Sequence, residues 1–344
     1  NYYYMQKDPR VLFFRRTSLV LFLSALALIF WSCSLSQRHF FRATPFLEEH
    51  KESLELCARR SFYGECMSTG TLPAAVAVMI EHHPSARPQS GLSEAKVVYE
   101  MPVEGQYTRF LALFDALDTV DKIGPVRSAR PYFVGVAEEY GAVPYMHVGG
   151  SADALALLEK STLLDINEFY RGELFWRDNN RHAPHNVYTS SAMWHSLGTS
   201  TGAVSHWAFD EKVSCSVQCG EGVDIRYASE FRALWKYSSS TEKYMRFLGI
   251  EPHRDTERQI AADTVIVQFV SSTVLDDVGR LDISIVGTGT VWVFRGGAKE
   301  VGVWEKKTGG YTHWQSANGT EIPLRPGVIW VEVVNEYTKT EIFK

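Results

Sequence analysis

KVVYEMPVEGQYTRFLALF, residues 96–114, decides how the first half of the chain is read. KVVYEMPVE (96–104) and TRFLALF (108–114) are short and rich in Val, Tyr and Phe, residues that suit a pleated, half-buried surface, so both are predicted strands. A third run of strand length, AAVAVMI (74–80), precedes them across the Pro-, Ser- and Gly-rich loop HHPSARPQSG (82–91). Downstream the pattern changes to helix. Pro131 suits a first helical turn, where its missing N–H costs nothing, and Gly141 can end the helix that PYFVGVAEEYG forms. AVPYMHV (142–148) returns to strand, Gly149 and Gly150 make a tight turn, and Ser151 can cap ADALALLEK. A further helix, SAMWHSLG, follows Thr189 and Ser190. Strands alternating with short helices imply an α/β domain whose sheet is covered by helices on both faces.

Beyond Ala262 the segments DTVIVQFV, RLDISIVG, GTVWVFRGG, EVGVWEKK, YTHWQS and GVIWVEVV are short and mostly alternating. Gly-Gly, Asn318-Gly319 and Pro326-Gly327 punctuate them, which predicts a mostly antiparallel, all-β domain. The expected layout is a signal or anchor at 1–35, a stalk at 36–71, the α/β domain at 72–205, a linker at 206–227 and the β-rich domain at 228–344.

The N-terminus sets the compartment. Arg15 and Arg16 precede the apolar run LVLFLSALALIFW (19–31), the order of an export signal. From Thr17 to Leu35 the stretch is also about long enough to cross a bilayer, with the arginines held on the cytoplasmic side and the body outside. Cys33 stands where an acylated cysteine would lie, although Phe30, Trp31 and Ser32 depart from the small residues expected before one. An uncleaved membrane helix is the alternative. In an exported chain the other four cysteines suit two disulfides, most simply Cys57–Cys66 and Cys215–Cys219. Other pairings and free thiols stay open, and the spacings are poor for zinc. A net charge of -5 argues against a general nucleic-acid binder.

Two segments could carry chemistry. In GPVRSARP (124–131), Pro131 disfavours helical geometry at Arg130, so Arg127 and Arg130 sit in extended chain just ahead of a helix. Planar, bidentate guanidinium donors at such a place suit phosphate or carboxylate, and Arg109 at the start of TRFLALF is expected nearby. The alternative is structural pairing with Asp115, Glu138 or Glu139. FWRDNNRHAPHN (175–186) gathers Arg177, Asp178, Arg181, His182, His185 and Asn186 in a loop interrupted by Pro184, and is expected to contact the same ligand. His182 and His185 would suit a metal only on a helix, which Pro184 disfavours, so neither metal nor cofactor is expected. Gly149-Gly150 reads first as a turn, and Asp276, Asp277 and Asp282 as turn formers. No G-x-S-x-G, G-x-G-x-x-G, Walker or EF-hand sequence occurs.

The motifs AVAVMIEHHPSARPQSGL, VEGQYTRFLALF, KIGPVRSARPYF, HVGGSADAL, FWRDNNRHAPHNVYTS, DTVIVQF and GRLDISIVGTG, in this order, resemble the YerB-like family of bacterial lipoproteins. The resemblance covers about residues 72 to 335. It implies an exported, membrane-attached protein with an N-terminal and a C-terminal domain, both without assigned function. More loosely, the order of TRFLALF, GPVRSAR, strand, Gly-Gly and helix is similar to the LytR–CpsA–Psr envelope phosphotransferases, although Ser128 and Ala129 stand where that motif usually carries an acidic residue.

Residues and resemblance together predict a membrane-tethered envelope protein, on the extracytoplasmic side, that binds an anionic envelope ligand or envelope protein through an arginine-rich cleft. The alternatives are a phosphotransferase acting on a lipid pyrophosphate or cell-wall glycopolymer, with His185 as acid or base, and a structural protein without a ligand site. Oligomeric state is not legible.

Overall fold

Val97–Pro102 (β2) and Thr108–Asp115 (β3) form the antiparallel hairpin at the middle of a ten-stranded sheet. The computed structural model describes residues 60–67, 72–197, 203, 205–213, 215, 220–228, 231–256 and 258–343. On one side of the hairpin lie Ala75–Glu81 (β1), then Pro144–His147 (β4) and Leu164–Asn167 (β5) at the edge. β1 is antiparallel to β3, whereas β1, β4 and β5 run parallel.

The other half of the sheet comes from the C-terminal part of the chain. A second sheet intervenes in sequence, built from Gly222–Ala228 (β6), Phe231–Ser238 (β7) and Lys243–Leu248 (β8). Thr264–Phe269 (β9), Gly287–Arg295 (β10), Ala298–Lys306 (β11) and His313–Ser316 (β12) then run antiparallel to the outer edge of the main sheet. Ile329–Val334 (β13) slots between β9 and β2, parallel to both. Every residue of its IWVEVV is buried, as a strand covered on both faces requires. Lys339–Phe343 (β14) completes the second sheet beside β6. The expected mostly antiparallel C-terminal half is therefore present, with β13 the parallel exception.

Period-two alternation sends the two faces of β1–β3 to different cores. Ala75, Ala77, Met79, Tyr99, Met101, Leu111 and Leu113 pack against the helices Pro131–Ala137 (α1) and Ala152–Leu158 (α2). Val76, Val78, Ile80, Val98, Phe110, Ala112 and Phe114 turn the other way. There they meet Val223, Ile225, Ala233, Trp235 and Tyr244 of the second sheet, with Trp194 of the short helix Ser191–His195 (α3). The expectation of helices on both faces is corrected: one face carries helices and the other is covered largely by β-sheet. The reason is dimensional. Seven helical residues reach about 10 Å, too little to cover so wide a sheet, while β6–β8 have an apolar face of their own to bury.

Local signals hold where they were strongest. α1 opens at Pro131, a following single turn ends at Gly141 with φ 87°, and Ser151 Oγ accepts from the Ala154 N–H at 3.3 Å. The expected signal or anchor with Cys33 falls outside the described residues, as do most of the stalk, Cys57 and Cys219. Cys66 and Cys215 are disulfide-bonded. Among the described residues no helix is long and apolar enough to cross a membrane.

Candidate functional site

β1 and β4 pair only at Ala77–Tyr145 and Val78–Met146, and GPVRSAR enters where they part. The Arg127 N–H donates to Met79 O at 2.9 Å, and its carbonyl accepts from the Val148 N–H at 3.1 Å. Glu81 N–H bonds Pro125 O, and Ala129 N–H bonds Gly149 O, each at 2.9 Å. The segment is thus hydrogen-bonded on both edges at the carboxyl ends of two parallel strands, a place where open sheets leave a crevice.

Side chains reach that crevice by register. Glu81, the last residue of β1, stands opposite Arg109 near the start of β3, and Arg109 Nε lies 3.9 Å from Glu81 Oε1. Glu81 is 3% exposed and accepts from the His82 and His83 N–H groups at 3.2 and 3.3 Å and from Arg127 Nε. Glu104, in the turn between β2 and β3, accepts from Arg109 Nη2 at 3.3 Å and from Arg130 Nε at 3.0 Å. Both carboxylates stay charged. Burial opposes ionisation of Glu81, yet Arg109 and Arg127 hold it below the ordinary range. At Glu104 burial is likewise outweighed, here by the Arg130 hydrogen bond and the Arg109 and Arg130 charges, which bring it to about 2.

Three guanidiniums therefore face two carboxylates, and they are not used alike. Arg130 is fully engaged: besides Glu104, its Nη1 donates to Ala129 O at 2.7 Å. Arg109 is 5% exposed, donates from Nη1 to Ser128 O at 3.3 Å, and its Nε is buried without a hydrogen-bond partner. Burial, then the Arg130 charge beside it, lowers its affinity for its proton. Arg127 differs. Glu81 holds only its Nε, the side chain is 24% exposed, and among the described residues neither Nη1 nor Nη2 has a hydrogen-bond partner. Arg127 lines the cleft, and its two terminal nitrogens, an edge that can bind an oxyanion in bidentate fashion, are left without a protein acceptor.

The cleft encloses about 270 Å³ between Glu81, His83, Glu104, Tyr107, Arg109, Arg127, His185 and Val278. The His83 and His185 rings stack at 4.7 Å, and His185 Nδ1 lies 3.6 Å from Glu81 Oε2. Burial, with the nearby His83, Arg127 and Arg181 and against the pull of Glu81, lowers the His185 pKa and favours a neutral ring.

Of the residues singled out by sequence, Arg109, Arg127 and His185 line this cleft, and Arg130 supports it through Glu104. The rest of the 175–186 loop faces elsewhere. Arg177 donates to Glu168 and Asn186, Asp178 accepts from Lys122, and Arg181 donates to Ser85 O and Pro88 O. Glu81, Glu104, His83 and Tyr107 were not anticipated. Of the acidic residues that the structural alternative offered (Asp115, Glu138 and Glu139), Asp115 accepts from Tyr63, and Glu139 from Lys306 and Thr312, while the arginines pair with Glu81 and Glu104. Gly149, at φ 58°, donates its N–H to Asn167 Oδ1 at 3.0 Å and Gly150 bridges to Ala129, and Asp276 accepts from the Val278 and Arg280 N–H groups as a turn former.

Two family models match this architecture in order. "Protein of unknown function (DUF3048) N-terminal domain" covers residues 65–203, and its C-terminal domain covers residues 223–331. The chain belongs to the DUF3048 family. Within that family it is 31% identical over 292 residues to "Putative lipoprotein YerB" of Bacillus subtilis (strain 168), covering 78% of this chain and 83% of that protein. The crystal structure of Bacillus subtilis YerB is similar, with a TM-score of 0.71 and 29% identity over 82% of this chain and 99% of that one. All the cleft residues lie within the DUF3048 matches: Val278 in the C-terminal match and the others in the N-terminal one.

Proposed function

We propose that this DUF3048 protein is a membrane-tethered, extracytoplasmic binding module whose cleft takes an anionic ligand on Arg127. The observation that carries it is the cleft-lining Arg127, held by Glu81 at Nε with its two terminal nitrogens without hydrogen-bond partners among the described residues. A guanidinium serving only the fold would be expected to spend its terminal nitrogens on protein acceptors, as Arg130 does. One positive charge in excess, with the buried Arg109 behind it, supplies the attraction. The β-rich half contributes to the site, since Val278 lines the cleft. The tether is supported by Arg15, Arg16 and the apolar run after them, and by the lipoprotein name of the Bacillus relative.

Calorimetric titration of the body lacking residues 1–35 with phosphate and pyrophosphate tests the site. Arg127→Ala removes charge-assisted hydrogen bonds worth about 1.5–3 kcal/mol each, so affinity should fall at least about tenfold; the variant also takes one guanidinium from buried Glu81, so its thermal midpoint should drop while Arg109 keeps the carboxylate partnered and the protein folded. Equal affinity in the variant refutes the assignment. Removal of residues 1–35 should itself release the body from the membrane.

A further inference from the structure

The cleft does not end at Arg127. Val103, Gly105 and Tyr107 also line a neighbouring groove of about 500 Å³, whose other walls include Gln106, Tyr227, Val274, Leu281, Asn335 and Thr338. One hairpin, Ser272–Val274 with Leu281–Ile283, closes both: Val278 at its tip stands over the cleft, and Val274 and Leu281 over the groove.

The two compartments differ in chemistry. The cleft holds all the charge, while the groove has no ionisable side chain other than tyrosine. Three of its polar side chains are spent within the protein, whereas the Gln106 amide and the Tyr107 and Tyr337 hydroxyls have no hydrogen-bond partner among the described residues. Asn335 Nδ2 donates to Ser272 Oγ at 3.0 Å, and Thr338 Oγ1 donates to Asn335 Oδ1 at 2.9 Å. The Tyr227 hydroxyl donates to Glu332 Oε2 at 2.7 Å. The rest of the lining is mostly ring and hydrocarbon, a surface that favours an apolar chain, with few polar groups to fix its position.

Resting on the proposed anion site, we infer that the ligand is an anionic amphiphile: a phosphate or carboxylate head on the Arg127 fork, with an apolar chain along the groove between Tyr107, Tyr227 and the 272–283 hairpin. Charge confined to one end of the trough matches a molecule charged at one end, and hydrocarbon in the groove leaves water for a mostly apolar lining.

The test uses the full chain in zwitterionic nanodiscs, with empty nanodiscs as the partition control, titrated below micelle concentrations. The probes are inorganic phosphate, butyl, hexyl and octyl phosphate, nonanoate and octyl glucoside. Each methylene that enters the groove should tighten binding about fourfold. Arg127→Ala should weaken binding of every anionic probe at least about tenfold. Val274→Asp, at a half-exposed position outside the anion cleft, should flatten the chain-length dependence and leave phosphate binding intact. Octyl phosphate binding above nonanoate assigns a phosphate head, and the reverse a carboxylate. Phosphate and octyl phosphate binding equally, both through Arg127, overturns the amphiphile and leaves the anion site standing. Octyl glucoside binding as well as octyl phosphate overturns it too, and binding of no probe overturns both.

Discussion

Replacing Glu332 with glutamine should make the protein more stable in a pH-dependent way. Glu332 is fully buried on β13 beneath the second sheet, with Oε1 accepting from Trp235 Nε1 and Oε2 from the Tyr227 hydroxyl, both at 2.7 Å. Glu100 of β2 shares the site, accepting from Arg246 Nη2 at 2.5 Å, while Arg246 Nε lies 3.8 Å from Glu332 Oε1. One guanidinium thus faces two carboxylates. Burial, then the Glu100 charge, push Glu332 up to about 8. Glu100, although burial opposes its ionisation, is held at about 2 by Arg246 and His82. Between the ordinary carboxylate range and pH 8, folded Glu332 keeps a proton that the unfolded chain has released. The folded state then binds more protons, so this group costs about 1.4 kcal/mol of stability per pH unit as pH rises. From pH 5 to pH 8 that amounts to roughly 4 kcal/mol. The amide of Glu332→Gln mimics the protonated acid at every pH and escapes the cost. His82 and His253, held neutral chiefly by burial, favour the fold increasingly up to their ordinary range, but they do so in both proteins and cancel in the difference. Urea unfolding of the body lacking residues 1–35 at pH 5, 6, 7 and 8 should show the variant gaining on the parent with each step. Parallel stability curves would refute the account of a proton retained on buried Glu332.

Arg246→Met should cost about 3–5 kcal/mol, because it strands Glu100 as a buried charge without its guanidinium. Adding Glu100→Gln should recover part of that loss, as read by urea midpoints. Gly124 has φ 139°, and a β-carbon there would meet Val126 N at 2.7 Å and Val187 O at 2.9 Å. Gly124→Ala should therefore destabilise the protein by about 1–3 kcal/mol and, by displacing the Arg127 segment, weaken phosphate binding; unchanged values for both would mean the segment is not held as described. The losses expected for Arg127→Ala and Val274→Asp are read by the titrations above.

Much of the site's raw material was legible. Pro131 after Arg130 pointed to extended chain ahead of a helix, and that local steric rule held because it involves only adjacent residues. The partners of the arginines were not legible. Glu81 lies 46 residues from Arg127, and Glu104 lies 26 from Arg130. Their meeting depends on β1 pairing with β3 rather than with β2, which strand patterns do not specify. The loop at 175–186 was over-read for a similar reason. Density of polar residues marks a surface loop, but which side chain turns inward depends on the neighbours, and only His185 lines the cleft.

The sequence by itself determined the strands, the caps of the short helices and the placing of arginines in a rigid extended segment, since each follows from alternation, proline sterics or a glycine within a few residues. Only the tertiary structure decided that β13 would join the two halves into one sheet, that the second sheet would cover a face expected to carry helices, and that Glu81 would take Arg127 Nε and leave its terminal nitrogens without a protein acceptor. Those outcomes rest on contacts between residues far apart in the chain, where no local preference acts and burial of complementary faces chooses the partner.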